Sequence, residues 1–217
     1  MPTLLLIRHG ENDYFKSNKM PGRSPGIHLN ARGREQAAAL AEALGRLALT
    51  AIYSSPLERA LETAQPLADA LGLQVQTSPD LMDTDVGAWA GRSWKMLRRT
   101  KAWRVIQETP SQFRFPGGES FVECQARIVA TLQEIVNTHG NDALVAVVFH
   151  ADPIKLAVAH FLGLPLDSFQ RLSVAPGSVS VLHVETGRAQ LAALNLIPPF
   201  RPEAYFPPAH PDPKGRH

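Results

Sequence analysis

Two histidines follow apolar runs directly. Arg8-His9 closes the run that begins at Thr3, and His150 closes Ala143–Phe149. A third run, Leu49–Ser54, leads within a few residues to Arg59. If these runs are parallel strands of one sheet, their carboxyl ends share an edge, the place where open α/β sheets bind ligands. Two imidazoles and two guanidinium groups would then meet, although they are far apart in the chain. Guanidinium groups hold a phosphoryl group in a planar, two-pronged manner and neutralise its charge. A neutral imidazole is a nucleophile toward phosphorus, and a second, protonated imidazole can hold an equatorial oxygen in the transition state. Phosphoryl transfer asks mainly for positioning and charge stabilisation, and this set offers both without a metal or cofactor. What is left to find is an acid for the leaving oxygen. Asp83, in Leu81-Met82-Asp83-Thr84-Asp85-Val86-Gly87, comes first, ahead of Asp85 and Glu11.

The elements that must position these groups can be read from the apolar pattern. Thr3–Ile7, Leu49–Ser54 and Ala143–Phe149 are short and lack polar alternation, as in a parallel sheet covered on both faces; Leu73–Thr77 is a weaker fourth strand. Asn30 is placed to cap a helix running to about Leu47. Ser55-Pro56-Leu57-Glu58 reads as a helix start with Ser55 as cap and Pro56 in the first turn; that helix runs to Leu71, with Pro66 expected to kink it, and closes at Gly72. Further helices are expected from Ser120 to Thr138 and from Pro153 to Leu162. Ser178–Val184 and Ala189–Leu196 read as an edge hairpin. Strands alternating with helices predict an α/β three-layer sandwich with a mostly parallel central sheet flanked by helices. One domain is expected over residues 1–197, followed by a loosely held, proline-rich tail over 198–217.

Bulk properties narrow the class of function. The 217 residues are 44% hydrophobic and 19% charged, ordinary for a globular protein, and the net charge of +2 gives no general attraction for nucleic acid. A single cysteine, Cys124, allows no intrachain disulfide. The start Met1-Pro2-Thr3 lacks the basic residues of a signal peptide, and no apolar run is long enough to span a bilayer. The expectation is a cytoplasmic protein with a small phosphorylated substrate and neither nucleic-acid nor membrane partners. A homodimer is left open.

Arg8-His9-Gly10-Glu11 resembles the signature of the histidine phosphatase superfamily, the phosphoglycerate mutase-like fold. Four more segments resemble that family, in its order: Leu29–Ala37, Ser54–Ala64, Asp83–Gly91 and Pro116-Gly117-Gly118-Glu119-Ser120. The resemblance covers roughly residues 3 to 185 and implies roles. His9 would become phosphohistidine, Arg8, Arg59 and His150 would form the phosphate pocket, and Asp83 would be the proton donor and later the base for water. Asn12, Arg23 and Ala151 join the set as substrate contacts. Four positions depart from the family's habit: Asp83 stands where glutamate is usual, Phe149 and Ala151 flank His150 where serine and glycine are usual, and Phe15 stands where asparagine is frequent, with Asn12 and Asn18 as substitutes nearby.

Taken singly, each residue has a plainer explanation. A lone histidine at a strand end is commonly structural, Arg59 beside Glu58 and Glu62 would pass for a surface ion-pair residue, and loop aspartates often make turns. His28, His139, His160 and His183 show no metal-ligand spacing. The stretch Arg92 to Arg104 carries six cations and no acid, and reads as a solvated helix face or as a basic rim drawing in an anionic ester. Three functions follow from these residues: a metal-independent phosphomonoesterase, a phosphoglycerate mutase-type phosphotransferase, or a catalytically weak phospho-ligand binding module. The short stretch from Trp89 to Gly118 favours the first over the second.

Overall fold

In the computed structural model, which describes residues 1–185, 187–201 and 205, six strands form one sheet. In chain order they are β1 (Thr3–Arg8), β2 (Ala51–Ser54), β3 (Val75–Thr77), β4 (Leu144–Phe149), β5 (Val179–Glu185) and β6 (Arg188–Leu196). The spatial order is β3-β2-β4-β1-β5-β6. The first four are mutually parallel, and the β5–β6 hairpin is added antiparallel beside β1. β4 inserts between β1 and β2, so the three strands read as site-bearing are neighbours in the middle of the sheet.

Side-chain alternation divides the core in two. Leu4 and Leu6 of β1, with Val145, Val147 and Phe149 of β4, pack on one face against α6 (Phe121–His139) and α7 (Ala151–Phe161). Leu5 and Ile7, with Ala146 and Val148, pack on the other face against α2 (Ala31–Leu44) and α3 (Glu58–Leu71). Burial on both faces is why these strands read as unbroken apolar runs. The layers are therefore helix, sheet, helix, as expected. Three shorter helices, α1 (Asp13–Ser17), α4 (Trp94–Leu97) and α5 (Lys101–Glu108), sit in connections.

Several helix boundaries follow the capping signals. Asn30 Oδ1 accepts from Gly33 N at 2.9 Å and starts α2. Ser120 and Glu123 close a reciprocal capping box at the start of α6, worth about 1 kcal/mol. Gly72 ends α3 in the left-handed region, at φ 65°.

Other boundaries differ. α3 starts at Glu58 with Leu57 at the cap position, not at Ser55, whose hydroxyl lies 2.9 Å from His150 Nε2 and accepts from Leu57 N only at 3.4 Å. Pro66 lies inside α3, which continues through it to Leu71. α7 begins at Ala151, two residues earlier than expected; Pro153 is tolerated in its first turn, where an N–H has no intrahelical partner. The stretch Arg92 to Arg104 is two helices rather than one, broken at Arg98–Thr100, with Thr100 capping the second. Of the tail over 198–217, only 198–201 and Tyr205 fall within the described residues. Phe200 and Tyr205 pack on the α2/α3 face of the core, so that part is held by its aromatic rings. Among the described residues no helix is long and apolar enough to cross a membrane.

Candidate active site

Strand register assembles the centre of the site. β1 and β4 pair with Arg8 opposite Phe149, and His9 N donates to Phe149 O at 3.0 Å. The next residues on the two strands are His9 and His150. Neighbouring strands lie about 4.8 Å apart, and the two rings are accordingly 5.1 Å apart, inclined at 61°. On the other side of β4, Ser54 pairs with Val148 and Ser55 N donates to Val148 O at 2.9 Å, which sets Ser55 opposite Phe149, one residue before His150.

His9 is buried and its Nδ1 lies 2.8 Å from Gly10 O. A carbonyl oxygen only accepts, so Nδ1 carries the hydrogen and Nε2 keeps its lone pair. Burial, reinforced by Arg59 and Arg8, holds the ring well below the usual histidine value. His9 is thus a neutral imidazole with a free nucleophilic nitrogen.

His150 is fully buried. Its Nε2 lies 2.9 Å from Ser55 Oγ, and its Nδ1 accepts from Arg59 Nη2 at 3.4 Å and stands 3.7 Å from Asp83 Oδ2. Burial first, and then the Arg59 charge, push it well below the usual value. The expected protonated donor is therefore favoured as neutral here, because a cation already occupies its polar side. An anion beside it would favour the charged form.

The guanidinium groups flank this pair. Arg59 is fully buried; its Nη2 donates to Gly22 O at 2.8 Å and to Asp83 Oδ2 at 3.4 Å, while Nε and Nη1 are buried with no protein partner. Arg8 Nη1 donates to Val174 O at 2.6 Å, and its Nε is likewise buried without one. A buried donor left unsatisfied costs about 1–3 kcal/mol, more when charged. Three such nitrogens on two cations are what a tetrahedral oxyanion would satisfy.

Asp83 closes the group. Its Oδ1 accepts from Thr84 N at 2.9 Å and its Oδ2 faces Arg59 and His150. Burial pushes the carboxyl up to about 6, against the opposing pull of Arg59. Its loop is clamped from behind. Arg23 Nε donates to Asp83 O at 2.8 Å, and Arg127 Nη1 to Asp80 O at 2.6 Å and Met82 O at 3.1 Å. Both arginines reach Glu119 Oε1, which also accepts from Asp85 N at 2.9 Å. The two other carboxyls considered are engaged elsewhere. Glu11 accepts from Asn30 Nδ2 at 2.9 Å, and Asp85 Oδ1 caps a turn through Gly87 N at 3.0 Å.

A cavity of about 450 Å³ opens onto this edge. Arg8, His9, Asn12, Asp83 and Ala151 line it; Arg59 and His150 lie beneath, fully buried. Ala151 is the first residue of α7, so the amino end of that helix, favourable to anions, meets the cavity. Arg23 is not in the lining: its donors go to Asp83 O and Glu119, and it holds the Asp83 loop instead. Among the described residues no group of three or more His, Cys, Asp and Glu is placed to hold a metal.

Sequence reasoning missed Ser55, taken only for a cap, and Thr63, whose Oγ1 accepts from Gly10 N at 2.9 Å. Its position one helical turn after Arg59, on the same face of α3, was the available signal.

The family model for the histidine phosphatase superfamily (branch 1) matches residues 4–197. This chain belongs to the histidine phosphatase superfamily. By that membership it is a phosphohydrolase. It is 33% identical over 201 residues to phosphoserine phosphatase 1 of Hydrogenobacter thermophilus, covering 90% of this chain and 93% of that protein. It is 32% identical to the glucosyl-3-phosphoglycerate phosphatase of Mycolicibacterium vanbaalenii, covering 76% of each. The solved mycobacterial glucosyl-3-phosphoglycerate phosphatase superposes with a TM-score of 0.81 at 30% identity, over 89% of this chain and 98% of that one.

Proposed function

We propose that this histidine phosphatase hydrolyses phosphate monoesters of small metabolites through a phosphohistidine on His9, without a metal. The observation that carries the reading is His9 itself: a buried neutral imidazole, its Nδ1 proton fixed on Gly10 O, beside two buried guanidinium groups with unsatisfied N–H donors. Arg8 and Arg59 hold the phosphoryl oxygens. His9 Nε2 attacks phosphorus, a P–N bond forms, and the P–O bond to the alcohol breaks. Asp83, in the protonated form that burial favours by lifting it to about 6, delivers its proton to the departing oxygen. Water then attacks the phosphohistidine while the Asp83 carboxylate takes up its proton. The P–N bond breaks, inorganic phosphate leaves, and His9 is again neutral. His150, tied to Ser55 and Arg59, orients the pocket and gains a proton more readily once a phosphate is beside it. The relatives named for phosphoserine and glucosyl-3-phosphoglycerate support a small phosphorylated metabolite as substrate.

The test uses p-nitrophenyl phosphate with an excess of chelator. Turnover is expected to persist, and an acid-labile, base-stable phosphoryl group should be trapped on the wild-type protein. His9→Ala should lose both. A variant that still turned over at the wild-type rate, or turnover abolished by the chelator, would sink the proposal.

A further inference from the structure

From His9 to Glu11, the turn that carries the nucleophile, each backbone N–H and C=O has a partner. His9 N donates to Phe149 O at 3.0 Å, and His9 O accepts from Gly177 N at 3.2 Å. Gly10 N donates to Thr63 Oγ1 at 2.9 Å, and Glu11 O accepts from Asn30 N at 3.0 Å. The two groups left belong to one peptide, between Gly10 and Glu11. Its carbonyl, Gly10 O, is the acceptor that keeps the hydrogen of His9 on Nδ1, at 2.8 Å. Its N–H, on Glu11, donates to Gln36 Oε1 at 2.8 Å.

In a trans peptide the C=O and N–H point in opposite directions within one rigid plane. Turning the plane moves both ends together, so an acceptor that holds the Glu11 N–H also aims Gly10 O. This plane is soft by sequence. It follows a glycine, the residue with the least restricted backbone, and a Cβ on Gly10 would lie 2.6 Å from the backbone at Gly33 O. The anchor therefore has to come from outside the turn. Gln36 supplies it from α2. Its side chain is half-buried, and the turn at Gly177 covers its stem so closely that a Cβ there would lie 2.8 Å from Gln36 Cβ. Hydrogen bonds in such a chain polarise one another, so the bond to Gln36 also strengthens Gly10 O as an acceptor.

We propose that Gln36 is a positioning residue for the nucleophile: through the Gly10–Glu11 peptide it holds His9 in the tautomer whose Nε2 is free to attack phosphorus. Gln36 lies outside the cavity lining and acts only through that peptide. The effect on the reaction rests on the phosphohistidine reading; the effect on the ring does not.

The experiment compares the wild-type protein with Gln36→Met, which keeps the length and removes the acceptor, and with Gln36→Glu, which keeps an acceptor. In Gln36→Met the Glu11 N–H turns toward water, Gly10 O turns with it, and the ring can carry its hydrogen on Nε2. NMR of the ring nitrogens reads which one is protonated, with the His9 signals assigned by their loss in His9→Ala. Gln36→Met should show mixed tautomers. It should form phosphohistidine from p-nitrophenyl phosphate about tenfold more slowly, as for one hydrogen bond lost in the transition state. Its affinity for inorganic phosphate, held by Arg8 and Arg59, should be unchanged. Gln36→Glu should keep the wild-type tautomer and most of the rate. A merely structural role would lower phosphate affinity along with the rate and would not be mended by glutamate. An unchanged His9 tautomer in Gln36→Met, or an equal loss in the two variants, overturns the proposal. The two readings fail separately. A tautomer that shifts in Gln36→Met, while even the wild-type protein forms no phosphohistidine, supports the anchoring and removes the nucleophile. Phosphohistidine formed alike by both proteins, with one tautomer in each, leaves the phosphatase standing and removes the anchoring.

Discussion

Replacing Asp83 with asparagine separates proton donation from the other work of that side chain. The amide keeps the size, can still accept from Thr84 N and can still face Arg59, but it has no proton to give a leaving group. Burial lifts the Asp83 carboxyl from 3.8 to about 6. About half of it is then protonated at pH 6 and about a tenth at pH 7. For an alkyl ester, Asp83→Asn is expected to lose about 10²–10⁴-fold in kcat/KM at pH 5, the usual worth of a positioned general acid. The ratio of wild type to variant should shrink about tenfold per pH unit above 6. The second ionisation of the substrate phosphate, also near 6, is common to both proteins and cancels in that ratio. p-Nitrophenyl phosphate, whose phenolate leaves unaided, should show a much smaller loss. The same raised value affects stability. The folded state binds the proton more tightly than the unfolded state, so the stabilisation is complete below about pH 4 and is lost as pH rises through 6. The side chain is 17% exposed, and the raise corresponds to about 3 kcal/mol at most. Asp83→Asn should therefore melt higher than wild type at pH 8 and equal to it near pH 4. Phosphate release from the two esters across pH, with melting curves on the same samples, checks both halves. Equal losses on the two esters, or a ratio that does not change with pH, would refute the donor role. A lower melting point for the variant at pH 8 would refute burial as the cause of the raise.

Two further substitutions test the frame around the site. Glu119→Gln removes the charge that faces Arg23 and Arg127; it is expected to cost about 2 kcal/mol in urea denaturation and to lower kcat more than KM for an alkyl ester. At Gly33 a Cβ would lie 2.0 Å from Glu11 O, which is backbone and cannot step aside, so Gly33→Ala must push the start of α2 away from the Gly10-Glu11 segment. A loss of about 2 kcal/mol or more is expected by thermal denaturation, with phosphohistidine formation slowed because Gly10 O sets the His9 tautomer.

Much of the site was legible because strand ends carry it. Arg8-His9 and His150 each follow a run buried on both faces, and a parallel register can only set such residues side by side. The lateral order of the strands was not legible: nothing local says that β4 enters between β1 and β2, yet that insertion is what puts His150 next to His9. Ser55 misled for a physical reason. A serine before Pro-Leu-Glu is a good cap by local rules, and only the neighbouring strand reveals that its hydroxyl has a better partner in His150. Arg23 misled likewise, since its chemistry suits a substrate anion and its acceptors, Asp83 O and Glu119, lie 60 and 96 residues away. The basic stretch after Gly91 read as one helix because its apolar residues keep helical spacing; Thr100, which caps the second half, was the overlooked break.

Aspartate in place of the family's usual glutamate raises the question of reach, and the clamp on its loop bears on it. A side chain one methylene shorter reaches the same place only if its backbone is held nearer. Here the carbonyls of Asp80, Met82 and Asp83 are each drawn by an arginine, Glu119 N donates to Asp85 O at 3.0 Å, and Glu119 Oε1 takes Asp85 N. The position of the acid is thus fixed from behind by Arg23, Arg127 and Glu119, whereas its proton affinity is set in front by burial against Arg59. Because the two properties have different sources, they should separate under mutation. Glu119→Gln should slow the reaction while leaving the pH dependence centred near 6. A change that opens the front of the site to water should move that centre toward the ordinary carboxylate value. If loosening the clamp moved the pH dependence as much as the rate, position and proton affinity would be one property, and the shorter acid would owe its competence to burial alone.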